Sequence, residues 1–594
     1  MDMDTINIIA MGITLVVLII AVHYAGQHSV SPAESKQTVF EKNRRMEWIF
    51  FGIVLLVAFT IRIWDFGILP YGMNQDGAMG AVDAKALADH GTDRLGMYMP
   101  VHFTAWGYGQ MSVLLSYLSI PFIKLFGLNP VTARLPVLII SMLAIAVLYL
   151  LIKEISGITP AQIALVLVSF TPWHFMQSRW ALDCNMFPHM MLFGVFFLYR
   201  GIKYRKRNLY LSMVFFALCM YSYGVSFYTV PVFLLCSCIY LLVKRLIRVR
   251  DLLICIGIYF LISWPIYLTM LINTMRWPTI ETPFFTIPFF PESMRSGDIL
   301  FFSEHPWEQL VENAKALWNV FCRGDDMPWN TIHGFGTIFP FLVPFAMVGI
   351  AVVVTRFFKI GKRRVTETVS EEAEDPIPVD AVVEERPESE VKVERCGLVL
   401  LIFWLLTALF CGLITATVNV NRENILMYCM VIFAAYGVWT VFKQKKILLY
   451  ILVPVFLFYG TVFQTTYHSQ AYTDSMSLIF MGGFGECLDE LEERDCREYY
   501  IDADCHFERA LKVLELNVLF YLEVDSEFYR SEGFGEKYHF VADQPIPPDI
   551  PEGVGYVVPK SVADTLNSTQ YSIIYHGNYA AVFWRESPDE SKVD

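Results

Sequence analysis

Twelve apolar stretches run through this chain and confine it to one kind of solvent. They lie near 7–26, 48–64, 131–152, 161–173, 187–200, 209–224, 227–243, 252–272, 337–357, 397–416, 425–442 and 447–466. A helix needs about 20 apolar residues to cross roughly 30 Å of hydrocarbon. The longer stretches therefore read as spans, and the shorter ones, 161–173 and 187–200, as spans whose ends extend into aromatic or polar flanks. Composition agrees, since 55% of the 594 residues are hydrophobic and 15% aromatic, a content suited to lipid contact and to rings at headgroup level. The first stretch has no basic leader and no small-residue cleavage site, so it reads as an anchoring helix. A soluble globule is excluded, and an all-α polytopic membrane protein of about 12 transmembrane helices is expected.

Basic residues orient the spans. Lys and Arg cluster at 36–45, 200–207, 244–250, 356–364 and 443–446, and such loops are cytoplasmic. Alternate crossings then place 65–130, 174–186, 273–336, 417–424 and 467–594 outside the membrane. Residues 108–126 are apolar enough to resemble a further span, but counting them as one breaks the agreement with every later basic cluster. They read instead as an interfacial helix along the outer face, where Ser112, Ser116 and Ser119 are satisfied.

The division expected is 1–47, an anchoring helix and cytoplasmic loop; 48–358, a catalytic transmembrane module; 359–396, an acidic cytoplasmic linker; 397–466, the C-terminal spans; and 467–594, an extracytoplasmic domain. Within the linker, residues 365–395 hold 11 acidic and 3 basic residues with several prolines, the composition of a solvated tether. The final domain carries 25 acidic and 9 basic residues, net −16, which leaves the remainder at net +3. That balance disfavours a polyanion, so nucleic acid is not a partner. Inside the domain, 498–504 reads as a strand, 507–520 as an amphipathic helix and 571–585 as a hairpin turning at Gly577-Asn578, together a small α/β domain. The cysteines show neither zinc-ligand spacing nor a disulfide framework, and neither a Walker A string nor a dinucleotide fingerprint occurs.

Intramembrane charge marks ion and substrate pathways, and the span interiors are nearly free of it, with Arg62 near a boundary. Ionisable residues gather instead in the outer loops. Asp76 starts a helix expected at 77–90, so it serves either as that helix's N-cap or as a general base at the membrane surface. In TPWHFMQSRWALDCNMF (171–187), Arg179 and Asp183 are four apart. They either pair on one helical face, or Asp183 faces Asp76 while Arg179 receives a phosphate with its planar donor fork. Trp173, His174 and Trp180 are interfacial anchors in both cases, and His174 and Asn185 join the candidate substrate-binding residues. Arg422, in the short outer loop before 425, either reaches a phosphate or pairs with Glu423 or lipid headgroups. His305, His333, Asp325 and Asp326 have irregular spacing and read as loop hydrogen-bonding groups; no metal ligand is assigned, and a divalent cofactor stays open.

The order of these features resembles the glycosyltransferase C superfamily, specifically the protein O-mannosyltransferase and aminoarabinose transferase-like group (family 39-like). The likeness covers roughly 48–350 and rests on DAKALADHGTDRLG (83–96), Leu-Phe-Gly-x-Asn followed by Ala-Arg-Leu-Pro (125–136), and the loop with Pro-Trp-His, Ser-Arg and Asp-x-Asn (171–185). It implies a fold with membrane-surface helices in the first outer loop, and transfer of a sugar from a polyprenyl-phosphate donor at the outer face with inversion. It makes Asp76 the catalytic base, matches Asp183 to a second acidic position, and lets Arg179 steady the departing phosphate. Two positions depart from the pattern. Gly77 stands where many relatives have Glu, and TAWGYGQ (104–110) replaces a Lys-Pro-Pro-like stretch, which removes the usual phosphate lysine and leaves His102, Arg94 or Arg179 as substitutes.

The expected activity is thus that of a membrane glycosyltransferase, in the bacterial plasma membrane, with a lipid, protein or cell-wall glycan acceptor docked on the C-terminal domain. The competing readings are a transporter or flippase of a lipid-linked sugar, which calls for charge or broken helices at mid-membrane; a glycan polymerase or ligase; and a non-catalytic assembly scaffold.

Overall fold

The computed structural model describes residues 2–27, 39–107, 109–291, 305–324, 327–360, 387–415 and 418–585. Asp325, Asp326 and most of the acidic linker lie outside them. Each of the twelve apolar stretches is a helix: α1 (Met3–Gln27), α3 (Arg44–Ile63, preceded by the short α2, Val39–Lys42), α6 (Pro130–Ser156), α7 (Ile158–Phe170), α9 (Met186–Lys203), α10 (Lys206–Cys219), α11 (Ser226–Val243), α12 (Val249–Met275), α14 (Val343–Lys359), α15 (Glu388–Ile414), α16 (Asn424–Gln444) and α17 (Leu449–Tyr467). Among the described residues nine are long and apolar enough to cross a membrane, while α7, α9 and α10 fall short of that combination. Ends follow the local chemistry. Asn129 and Thr132 form a capping box ahead of α6, with Pro130 in its first turn, and Asn43 caps α3.

α16 is the central post, with 78% of its apolar window buried. It packs closely on α14 through two glycines: a Cβ on Gly437 would stand 2.1 Å from the Phe345 carbonyl, and one on Gly349 would strike that of Phe433. Helices at the rim, by contrast, present Leu56, Leu261 and Leu457 outward, as lipid contact requires. At one end of the bundle lie the described residues of the basic clusters, tied by Arg200–Glu154, Lys206–Asp251 and Arg356–Glu394 pairs. At the other end the intervening loops meet one another.

The loop after α3 contains α4 (Gln75–His90), a small hairpin of β1 (Phe103–Thr104) and β2 (Gln110–Met111), and α5 (Leu114–Phe126). The 13-residue α5 is too short to span, in keeping with the interfacial reading. The serines of this stretch point elsewhere than expected: Ser112, Ser116 and Ser119 are buried in protein, whereas Leu125 and Phe126 are exposed. Packing of α5 on α4 and α6, not the membrane surface, is what covers the serines. The next loop holds α8 (Pro172–Gln177) and a single 3-10 turn, Asp183–Asn185. After α12 come β3 (Ile280–Glu281), β4 (Thr286–Ile287) and α13 (Pro306–Cys322).

Beyond α17, α18 (Gln470–Ser477) leads into an α/β domain with α19 (Phe484–Glu492), α20 (Leu511–Tyr521), α21 (Ser526–Glu532) and α22 (Lys560–Ala563). Its sheet runs β6 (Tyr538–Val541), β5 (Glu498–Asp502), β7 (Val554–Pro559), β9 (Tyr579–Trp584), β8 (Tyr571–His576), with β5 parallel to both its neighbours and β9 antiparallel to both of its own. The expected strand, helix and hairpin are present, and His576 pairs with Tyr579 across the turn. Strands β6 and β7 are additional. The domain lies on α4: Leu516 joins Met79, Leu87 and Phe103 in one apolar cluster, Arg530 donates to Thr92 Oγ1 at 3.0 Å, and His90 meets Asp525 at 2.9 Å.

Candidate active site

The chain entering α4 is irregular, and its carbonyls need donors. Two arginines from distant segments supply them. Arg134 of α6 donates to Gly67 O and Pro70 O at 3.0 Å each. Arg179 donates to Arg62 O at 2.7 Å, Asp65 O at 3.0 Å and Ile61 O at 3.3 Å, and its Nε to the Tyr467 hydroxyl at 3.2 Å. With the segment so held, Asn74 takes extended backbone geometry and caps α4, accepting from Asp76 N at 3.0 Å. The N-cap reading of Asp76 is therefore corrected. Asn74 does that work, and Asp76, the second residue of the helix, is left to other partners.

Asp76 is half-buried, and Trp106 Nε1 donates to its Oδ1 at 2.8 Å. It lines a cleft between α4 and α5 with Gly77, Gly80, Ser116 and Ala181. Gly77 closes one wall, because a Cβ there would stand 2.8 Å from the Ala181 carbonyl. The space a Glu would need at this position is filled by the second loop. Asp183 comes from that loop: its Oδ2 accepts from Ser112 N at 3.2 Å and its Oδ1 from Cys184 N at 2.6 Å. Burial first, then the charge of Asp76, pushes the Asp183 carboxyl up to about 7, against the pull of those two N–H groups. The structure thus brings Asp76 and Asp183 together, within electrostatic reach of one another.

The other sequence-derived residues are placed differently. Arg179 does not pair with Asp183, since α8 ends at Gln177 and breaks the helical spacing; its donors go to main-chain carbonyls and to the Tyr467 hydroxyl. Arg94 forms a buried ion pair with Asp83 and donates to Thr104 O at 2.6 Å, so it staples the loop. His102 is buried edge-on to Phe227, its rings 6.0 Å apart, and burial lowers it to about 4, leaving it neutral. His174 is no surface anchor: it is buried, its Nδ1 at 3.1 Å from Arg62 Nη2 and its Nε2 at 3.1 Å from the Tyr428 hydroxyl. Burial and Arg62 hold it well below the ordinary imidazole range. Trp173 and Trp180 are likewise buried. Asn185 braces the second loop, donating to Gln177 O and Trp180 O at 3.2 Å each. Arg422 lies beside Glu423, whose carboxyl burial pushes up to about 8 against the pull of that arginine. Among the described residues no cluster of three or more His, Cys, Asp or Glu side chains is arranged to hold a metal.

Sequence reasoning missed Trp106, Ser112 and Glu423. Ser112 contributes through its main-chain N–H, which leaves no trace in residue type. Trp106 lies in the segment that departs from the family pattern, and the departure itself was the available signal.

Residues 111–268, the stretch from β2 through most of α12, match the family model described as dolichyl-phosphate-mannose-protein mannosyltransferase. This stretch is mannosyltransferase-like. It includes Asp183 and the wall of the cleft supplied by α5, and it agrees with the resemblance to the glycosyltransferase C superfamily. No curated protein matches the chain. Among solved structures, ArnT from Cupriavidus metallidurans bound to undecaprenyl phosphate is similar at 11% identity and a TM-score of 0.47, over 90% of this chain and 97% of that one. The oligosaccharyltransferase AglB from Archaeoglobus fulgidus, in complex with an inhibitory peptide and a dolichol-phosphate, is similar at 12% identity and a TM-score of 0.41, over 78% of this chain and 63% of that one.

Proposed function

We propose that this membrane protein transfers a sugar from a polyprenyl-phosphate-linked donor to an acceptor hydroxyl or amine at the extracytoplasmic face of a bacterial plasma membrane. The observation that supports this most is Asp76 on the α4–α5 cleft with Asp183 within electrostatic reach of it, at the end of the bundle opposite the basic clusters. A lipid-linked donor presents its phosphate and sugar at that level, and its tail stays in the bilayer. Asp76 takes the acceptor's proton as the acceptor attacks the anomeric carbon from the side opposite the phosphate. The carbon–oxygen bond to phosphate breaks, the lipid phosphate leaves with the bonding pair, and the configuration inverts. Asp183 stabilises positive charge developing at the anomeric centre. Arg134 and Arg179 act earlier, by fixing the chain from which Asp76 projects. The C-terminal domain, seated on α4, docks the acceptor.

The test uses purified full-length chain in proteoliposomes with a radiolabelled polyprenyl-phosphate sugar and membrane extract as acceptor source. The expected result is label in the acceptor, an equal quantity of bare polyprenyl phosphate, and an inverted anomeric centre. Label that crosses the bilayer without transfer would establish the flippase reading, and a retained configuration would overturn the role of Asp76.

A further inference from the structure

The segment linking α15 to α16 contains a carboxylate for which the mechanism above has no use. Glu423 is fully buried, and among the described residues neither of its oxygens has a hydrogen-bond partner. Its neighbour Arg422 offsets the charge but does not bond to it. Burying a carboxylate without hydrogen bonds costs several kcal/mol, and native structures seldom leave such a group unexplained. The chain also makes room for it: Gly412 of α15 faces the carboxylate, and a Cβ there would stand 2.3 Å from Oε2.

The position is fixed from several directions. Asn313 of α13 donates to Leu413 O at 3.1 Å and Thr415 O at 2.6 Å, and Asn330 donates to Asn421. Most telling, Asn424, the next residue, donates to the Cys184 carbonyl at 2.6 Å, which ties this segment to the loop carrying Asp183. The same two segments hold further unpartnered polar atoms: Asn424 Oδ1, and both amide atoms of the buried Gln177. Carboxylate and amide groups of this kind recognise adjacent hydroxyls, the carboxylate oxygens accepting and the amide both accepting and donating in its plane. A cation is a poorer match, since Ca²⁺ takes six or more oxygen ligands and no cluster of ligating side chains surrounds Glu423.

We infer that Glu423 accepts hydrogen bonds from hydroxyl groups on the donor's sugar ring, so that it reads the sugar while the lipid and phosphate bind elsewhere. This inference rests on the donor class proposed above. It makes Glu423 a specificity-determining residue, separate from the carboxylates that act on the anomeric centre.

The experiment compares two probes on the full chain in lipid nanodiscs: a polyprenyl-phosphate sugar and the bare polyprenyl phosphate. In E423Q the affinity for the sugar-bearing lipid falls by about tenfold, the size of one lost hydrogen bond, and that for the bare lipid stays within about twofold. Equal loss for both probes, or for neither, overturns the inference, as does a change confined to the acceptor's KM. Should E423Q fail to fold, G412A displaces the carboxylate from the adjacent helix and must give the same sugar-selective loss; equal behaviour of both probes there overturns it too. Wild type that binds both lipids equally and transfers no sugar is a different outcome, and refutes the donor class itself.

Discussion

Two sets of charges meet at the same end of the bundle and are handled in opposite ways. Arg62, Arg134 and Arg179 are fully buried and, among the described residues, form no ion pair; they donate mainly to main-chain carbonyls of α3, α7 and the loop that follows α3. Asp76 and Asp183 lie within electrostatic reach of one another and accept from indole and main-chain N–H groups. Arginines spent on backbone build an irregular loop that would otherwise leave buried carbonyls unmet. The charge of Asp76 adds to burial in raising the Asp183 carboxyl, an arrangement that the proposed transfer would use. On the proposed reading, the first set holds the site and the second acts in it.

The sharpest way to break that division is Arg179→Met. Removing a buried guanidinium from several carbonyls costs about 3 kcal/mol or more, so we expect loss of folded yield and a markedly lower Tm in detergent. A normally folded variant with a raised donor KM would move Arg179 from the scaffold to the phosphate.

Next comes Asp183→Asn, expected to lower transfer about a hundredfold and to alter the pH dependence of stability. The folded-state carboxyl titrates near 7, above its ordinary value of 3.8. The folded protein therefore binds more protons than the unfolded chain between those values, and this group's contribution to stability falls as pH rises from about 4 through about 7. The Tm advantage of Asp183→Asn over wild type should widen across that window and level off above it. A constant gap between pH 5 and 8 would show that neither burial nor Asp76 raises this carboxyl.

The smallest effect belongs to the domain contact. Arg530→Ala and His90→Ala alter half-exposed partners, and Asp525 and Glu527 are largely solvated, so each should cost less than about 1 kcal/mol, in a salt-dependent way. A large loss of transfer with Tm unchanged would make this contact part of the reaction.

The helical bundle was legible because a membrane span must satisfy its backbone internally and be apolar over its length; each of the twelve stretches read is a helix. Charge parity also put Asp76 and Asp183 at the same end and denied 108–126 a crossing. What the sequence withheld were interactions with backbone. Nothing in residue type shows that Arg179 serves the carbonyls of 61–65, or that Ser112 lends its N–H to Asp183. The helix start was missed by two residues because Asn74 and Asp76 are both good caps, and the arginines holding the preceding chain decide between them. In the C-terminal domain, the four-residue β6 and the glycine-containing β7 gave weaker patterns than the hairpin, and their parallel pairing with β5 is a tertiary choice.

The central claim is that Asp76 is the base of a sugar transfer. Transfer of label from a polyprenyl-phosphate sugar should be compared between wild type and Asp76→Asn at equal folded yield and equal Tm. The account predicts a loss of about 10²- to 10⁴-fold in kcat with donor affinity retained; transfer undiminished in Asp76→Asn would contradict it.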